Sequence, residues 1–301
     1  MAKRKSVKIT KKNLPIFIIA AILAIIVAIF GKGGNPEDTA VSNTQNGQLL
    51  TAHFIDVGQG DCTLFVSGDD AMLIDCGEKE YSDSVINFLK TNGITQLDYV
   101  VVTHAHSDHM GGMADVLDAI PTENIIFSEP SEKSSGSKTY GDFLDAADRS
   151  GADIILAEPD YTFSLGSAEC KILAPFSVSE EEENDNSVVM HITAGTTSFL
   201  MTGDAEKAVE KEIIANYPSL RATVLKVGHH GSKTSSSDKF ISMLGSETAV
   251  IHVGEDNSYN HPTDTVLNTL NKYNIDTYRT DLEGTITINC FADTYTVSTE
   301  R

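Results

Sequence analysis

Basic residues are scarce in this chain of 301 residues: 22 Lys and Arg stand against 43 Asp and Glu, a formal net charge of −21 with histidine neutral. The scarcity is uneven. Seven of the 22 (Lys3, Arg4, Lys5, Lys8, Lys11, Lys12 and Lys32) fall in residues 1–50, beside only Glu37 and Asp38. Residues 51–301 therefore carry 15 basic and 41 acidic side chains, a net −26. Such a body lacks the Lys and Arg that non-specific nucleic-acid binding draws on, but it tolerates bound divalent cations. Tryptophan is absent and aromatics make up 7%. With 41% hydrophobic residues, however, the chain has enough apolar material for one large core or two modest ones, which excludes a disordered or collagen-like polymer.

One long apolar run stands apart. Leu14 to Phe30 (LPIFIIAAILAIIVAIF) has no charge in 17 residues and no polar face, which fits a short membrane span better than a buried core helix. Six basic residues precede it, so the positive-inside rule places residues 1–13 in the cytoplasm and everything after Phe30 outside. The expectation is a single-pass anchor in the cell membrane with an extracellular C-terminal domain. The alternative is a secreted form released by signal cleavage, although Ala-Ile-Phe-Gly is a poor cleavage site. Residues 31–50, rich in Gly, Asn and Thr, read as a flexible linker, and 51–301 as one catalytic domain. Four cysteines sit at 62, 76, 170 and 290. A turn centred on Asp69 would set Cys62 opposite Cys76, as a disulfide or as two small buried residues.

From Thr51 onward the pattern is α/β. Strands are predicted at 51–57, 62–67, 71–75, 97–103, 124–128, 153–157, 161–164, 168–173, 187–193, 197–202, 222–228, 247–253, 276–280, 284–290 and 293–298. Helices are predicted at 82–92, 109–119, 139–149, 205–216, 236–244 and 263–273. The acid run Ser179–Asp185 reads as a solvated loop. A repeat runs through the domain: a hairpin ending in an acid (Asp75, then Asp204), a helix, and a strand stopping at histidine (His104, then His229 and His230). Two sheets related in this way bring both sets of strand ends to one edge, where chemistry collects in layered α/β folds.

The densest chemical signal is Thr103-His104-Ala105-His106-Ser107-Asp108-His109. In an extended segment His104 and His106 point the same way, so two imidazoles can grip one ion. Asp108 and His109, on the following turn, can address a second position. Imidazole with carboxylate suits Zn²⁺ foremost, with Mn²⁺ as the alternative. Asp204, at a strand end, can bridge two ions through its two oxygens. One of His229 and His230 is a further ligand, and the sequence leaves open which. His53, His191 and His252 lie within strand patterns and read as structural.

These residues resemble the metallo-β-lactamase superfamily and, more narrowly, the hydrolase domain of ComEC-type competence proteins and its stand-alone relatives. The likeness spans Phe54–Asp61, Leu73–Asp75, His104–His109, Asn186–Val189, Phe199–Glu206, Leu225–Ser232 and Asn257–Pro262. It implies an αβ/βα four-layer sandwich with two divalent metal ions between the sheets. One ion would take His104 and His106, the other Asp108, His109 and His229 or His230, with Asp204 bridging. A histidine that the wider superfamily places before the bridging acid is missing, since Asn184-Asp185-Asn186-Ser187 stands there. The channel portion of the competence proteins is missing too, so the reaction type transfers more safely than the biology.

The reaction expected is metal-assisted hydrolysis of a phosphodiester, with a phosphodiester or nucleic acid as the substrate partner, by hydroxide held between the ions. Asp108 or Asp75 would orient a ligand histidine. His261 would act as general acid or bind the oxyanion, and Asn186 and Ser232 would support the ligands or substrate. Asp56 and Asp61 frame a Gly-Gln-Gly turn and shape the site wall. The alternatives are hydrolysis of another ester, thioester, lactone or lactam, or an inactive binding scaffold. No protein partner is evident.

Overall fold

Side chains of successive strand residues point to opposite faces, and here runs such as Met72–Ile74, Val100–Val102 and Ala249–Ile251 are apolar and buried on both. That pattern demands a sheet covered twice. A computed structural model describes residues 47–301. The basic tail, the apolar run Leu14–Phe30 and residues 31–46 of the linker lie outside the described residues. Among the described residues no helix is long and apolar enough to cross a membrane.

The first sheet has eight strands in the order β15 (Tyr295–Thr299), β14 (Ile286–Cys290), β1 (Leu50–Phe54), β2 (Thr63–Ser67), β3 (Asp70–Ile74), β4 (Leu97–Val102), β5 (Thr122–Phe127) and β6 (Asp153–Leu156). The second has seven: β13 (Asp276–Arg279), β12 (Thr248–Ile251), β11 (Val224–Lys226), β10 (Thr197–Met201), β9 (Val189–Ala194), β8 (Ala168–Ala174) and β7 (Thr162–Leu165). On the first sheet Leu64, Leu73, Val100 and Ile125 pack against α1 (Ser82–Thr91), α3 (Met113–Ala119) and α5 (Lys138–Ser150) through Val85, Leu89, Val116 and Phe143. Their neighbours Phe65, Met72, Val101 and Ile126 face the second sheet and meet Ile172, Met190 and Phe199. On the far side Leu200, Leu225 and Ile251 pack on α6 (Lys207–Asn216), α7 (Asp238–Leu244) and α8 (Asp264–Lys272). The result is helix, sheet, sheet, helix, the αβ/βα sandwich expected.

The repeat becomes two matching crossovers. β2 and β3 form an antiparallel hairpin, and β4 lies parallel to β3 after α1. Likewise β9 and β10 are antiparallel, and β11 lies parallel to β10 after α6. The C-terminal ends of β3, β4, β10 and β11 carry Asp75, His104, Asp204 and His230 respectively. Local signals close the helices: Ser137 accepts from the Tyr140 N–H at the start of α5, and Gly151, at φ 72°, ends it in the left-handed region.

Four expectations are corrected. The single helix predicted at 109–119 is two: α2 (Ser107–Met110) and α3, separated by Gly111 and Gly112. A Cβ on Gly112 would sit 2.8 Å from Cys76 Sγ and 2.9 Å from Cys76 O, so only glycine lets this turn pack on the end of the β3 segment. All four cysteines are buried free thiols, the second of the two readings for Cys62 and Cys76, but their placement opposite each other does not hold. The hairpin register pairs Thr63 with Ile74, which would set Cys62 opposite Asp75 and not Cys76. The acid run is not wholly solvated either. Glu183 is buried, and its carboxylate accepts from the Ala105 N–H (3.2 Å), the Ser131 N–H (3.0 Å) and the Ser131 hydroxyl (2.6 Å). It thereby anchors the backbone between His104 and His106. Two short helices, α4 (Glu132–Ser135) and α9 (Thr280–Glu283), fall in segments read as loops.

Candidate metal centre

The end of β4 delivers His104 and His109 fully into the sandwich, while His106 stays exposed and Asp108 half-buried at the mouth. His104 Nε2 lies 3.0 Å from His106 Nδ1, so the pair converges as the extended geometry predicts. The His109 Nδ1–H donates to Asp75 Oδ2 at 2.8 Å. Asp75 also accepts from the Thr103 N–H (2.8 Å) and hydroxyl (2.7 Å). These bonds fix the orientation of the His109 ring and turn Nε2 toward Asp204 Oδ1, 3.3 Å away.

The second half of the chain answers from the opposite sheet. Asp204, in the turn after β10, is buried, and its backbone N–H donates to Ser187 Oγ at 3.0 Å. His229 and His230 share a tight turn after β11 and both lie in the left-handed region, at φ 49° and 52°. Each such non-glycine residue costs on the order of 1–3 kcal/mol, and the strain turns both rings toward Asp204. They are not equivalent. His230 is buried, its Nδ1–H donates to the His252 carbonyl at 3.0 Å, and its Nε2 faces Asp108 Oδ2 at 3.2 Å and Asp204 Oδ2 at 3.6 Å. His229 is partly exposed. Its Nδ1 lies among Glu206, Thr234 and Asn184, and its Nε2 is 3.8 Å from Asp204.

Charges in the cluster are mutually set. Burial works against an ionised Asp204, yet the facing imidazoles of His109 and His230 hold its carboxyl well below the usual range. Burial likewise opposes a charged His109, and the carboxylates of Asp204 and Asp75 override it, raising its pKa well above the ordinary value. His104 is pushed well below its ordinary value by burial and by neighbouring His109. Two atoms test whether a cation fits. Asp204 Oδ1 and His109 Nε2 are buried and face each other, and neither has a hydrogen-bond partner. An imidazole nitrogen and a carboxylate oxygen so placed are the donors a divalent cation takes. Asp61, His109, Asp204 and His230 each offer one such atom, all within 4.8 Å of one another.

The cluster floors a cleft of about 830 Å³. Its walls carry Glu78, Glu80, Tyr81, Glu255, Tyr259 and His261. His261 is half-buried, stacked on Tyr259 at 5.7 Å and edge-on to His229 at 5.6 Å. Burial first, then the neighbouring imidazoles, lowers its pKa to about 4. Two expected supporters lie apart from the cleft lining. The Asn186 amide is spent on Ser179 (2.6 and 3.0 Å), and its neighbour Ser187 approaches His104 Nδ1 instead, at 3.4 Å. The Ser232 hydroxyl pairs with Thr234 at 2.9 Å. His191 bonds the Arg221 carbonyl.

Sequence reasoning missed Lys226. The lysine is completely buried at the end of β11, with Nζ 2.8 Å from Asp61 Oδ2. Its signal was there to read: a lone lysine inside the apolar strand Val224-Leu225-Lys226-Val227 needs a buried acid as partner.

Residues 55–255 match the protein family described as "Metallo-beta-lactamase superfamily". The chain is 34% identical over 256 residues to "ComE operon protein 3" of Bacillus subtilis, covering 77% of this chain and 32% of that protein. It is 31% identical over 252 residues to "Recombination protein 2" of Haemophilus influenzae, covering 82% and 30%. It thus spans about a third of the length of the curated relatives it matches. Among solved structures it is similar to the metallo-beta-lactamase fold protein YhfI from Bacillus subtilis, with TM-score 0.50, 14% identity, and 83% of this chain and 99% of that one covered.

Proposed function

Because the chain belongs to the metallo-beta-lactamase superfamily, we propose that it is a metal-dependent hydrolase of phosphodiester bonds. The observation that carries the reading is Asp204, whose two oxygens face His109 Nε2 on one side and His230 Nε2 on the other, with Asp204 Oδ1 and His109 Nε2 buried and without a hydrogen-bond partner. Asp204, His109, His230 and Asp108 would hold one ion, and His104 with His106 the other. Bound cations supply an acidified water and neutralise charge that develops on the reacting oxygens.

The chain's own residues do the rest. Asp75 and the His252 carbonyl each hold an Nδ1–H, so that both imidazoles present Nε2 to the cleft. Asp108 is the most solvent-accessible of the buried carboxylates, at 27% against 2% for Asp204 and 0% for Asp75; it meets incoming substrate and water first. His261, neutral at pH 7, offers an N–H to a phosphoryl or leaving-group oxygen without bringing charge. Likeness to a protein named for recombination supports a phosphodiester as the bond. The acidic rim, with Glu78, Glu80 and Glu255, favours short diesters over long polyanions. The reading includes the tether: with Leu14–Phe30 in the membrane, the cleft works on the extracellular side.

The test is a substrate panel run with metal analysis of the purified chain. Bis-p-nitrophenyl phosphate should be turned over, chelator should stop it, and Zn²⁺ or Mn²⁺ should restore it. Turnover of the lactam nitrocefin with no diester cleavage, or a chain that binds no ion, would overturn the proposal.

A further inference from the structure

Beneath the cluster lies a second layer of buried charge that hydrolysis itself does not use. Lys226 comes from the second sheet and Asp61 from the loop after β1, in the first half of the chain. The ammonium donates to Asp61 Oδ2 (2.8 Å) and to the Val227 carbonyl (2.9 Å), and both side chains are more than nine-tenths buried. The other oxygen, Asp61 Oδ1, has no hydrogen-bond partner and lies 3.4 Å from His230 Nδ1 and 3.6 Å from His252 Nδ1. The backbone of Asp61 is tied just as firmly: its N–H donates to the Asp108 carbonyl (3.1 Å) and its carbonyl accepts from Gly77 N–H (2.8 Å). A single residue thus touches the Asp108 turn through its main chain and the rear of His230 through its side chain.

Although Asp61 falls within ligand distance of the cluster, its geometry places it behind His230, on the ring edge opposite the Nε2 that faces Asp108 and Asp204. We propose that Lys226 and Asp61 form a strut between the two halves of the molecule, a pair of positioning residues. The strut sets the spacing of Asp108 and His230 and keeps Asp61 out of the ligand set. The inference rests on the hydrolase reading for the identity of the site, but its claim concerns cation binding rather than turnover. Unpairing either partner leaves the other as a lone buried charge. The contact that fixes Asp61 would then be gone, and His230 and the Asp108 turn would lose their backing. Because the two act through one contact, their effects should not multiply.

The experiment is a double-mutant cycle on the 301-residue chain with Lys226→Met, Asp61→Asn and the double variant, the folded fraction of each being established by circular dichroism. Calorimetric titration with Mn²⁺ and the visible spectrum of the Co²⁺-loaded protein report on the site without substrate. Each single variant should bind Mn²⁺ about 10–100-fold more weakly with an altered Co²⁺ spectrum, and the double should be no weaker than the weaker single. If Lys226→Met does not fold, Asp61→Asn and the double variant, which has no unpaired charge, carry the same comparison. Folded variants with wild-type affinity and spectrum would overturn the proposal, as would losses that multiply. A wild-type chain that binds no ion would instead sink the hydrolase reading, so the two failures are distinct.

Discussion

The two halves of the sandwich reach the same cleft by different means. In the first half, one strand exit supplies four candidate ligands within six residues, His104 to His109, and the backbone needs no unusual conformation to present them. In the second half Asp204 and His230 lie 26 positions apart, on the exits of two different strands, and His229 and His230 both occupy left-handed backbone at φ 49° and 52°. The first half is a local motif; the second is a product of topology, assembled only when β10 and β11 pair in parallel register. Chemistry that arises locally is robust to small displacements, whereas chemistry assembled across strand ends depends on whatever holds those ends.

Asp204 is where the two halves meet, so its removal should have the largest effect. Asp204→Ala deletes the carboxylate facing both His109 and His230 and is expected to lower kcat/KM on bis-p-nitrophenyl phosphate by at least about 10²-fold. Full activity in a folded Asp204→Ala protein would end the interpretation of the site as a shared cation centre.

The next comparison lies inside the second half. His230 is buried with its tautomer fixed, while His229 is partly exposed and shares its Nδ1 with Glu206, Thr234 and Asn184. His230→Ala should approach the Asp204→Ala loss, and His229→Ala should cost roughly 10-fold or less. Equal losses, together with equal losses of bound metal, would show that both rings are ligands.

Much of this is legible in the sequence. The sequence pattern places all fifteen strands of the described residues, because a doubly covered sheet writes itself as short runs of Val, Ile, Leu and Phe bounded by polar turns. The His104–His109 cluster stands out for the same reason it works, its contiguity. What escaped depends on distance. The choice between His229 and His230 rests on the His252 carbonyl, 22 residues on. Lys226 makes sense only with Asp61, 165 residues earlier. The broken helix at Gly111-Gly112 depends on Cys76 lying against it. Asn186 looked suitable by residue type, yet the neighbouring Ser187 is the one that the fold turns toward His104.

In the first half, Asp75 offers a subtler test. It supports His109 much as the His252 carbonyl supports His230, but through a side chain that can be altered. Asp75→Asn keeps the shape and removes the charge, leaving an amide whose orientation must compete for Thr103 and His109. A loss of about 10–100-fold in metal affinity is expected, smaller than for Asp204→Ala because no ligand is deleted. Binding calorimetry on the folded variant decides it.

The smallest effect compares the two sheets away from the cleft. Each has a strand histidine whose burial depresses its pKa: His53 on β1, down to about 4, and His191 on β9, where the bond to the Arg221 carbonyl partly offsets the burial. A depressed histidine is neutral in the fold, while in the unfolded chain it takes up a proton near pH 6.5. Between pH 6.5 and 4 the unfolded state therefore binds more protons, and stability falls as the solution is acidified. His53 Nδ1 is held by the Thr287 hydroxyl at 2.9 Å, with no carboxylate to stabilise the charged ring. The penalty for His53 should amount to about 2 kcal/mol by pH 4, after allowance for its partial exposure. His53→Gln, which does not titrate, should flatten the stability-against-pH curve in that window more than His191→Gln does. Urea titrations at pH 4.5, 5.5 and 7 give the comparison directly. A larger effect from His191→Gln would mean that the Arg221 carbonyl does not favour the protonated ring as its position suggests.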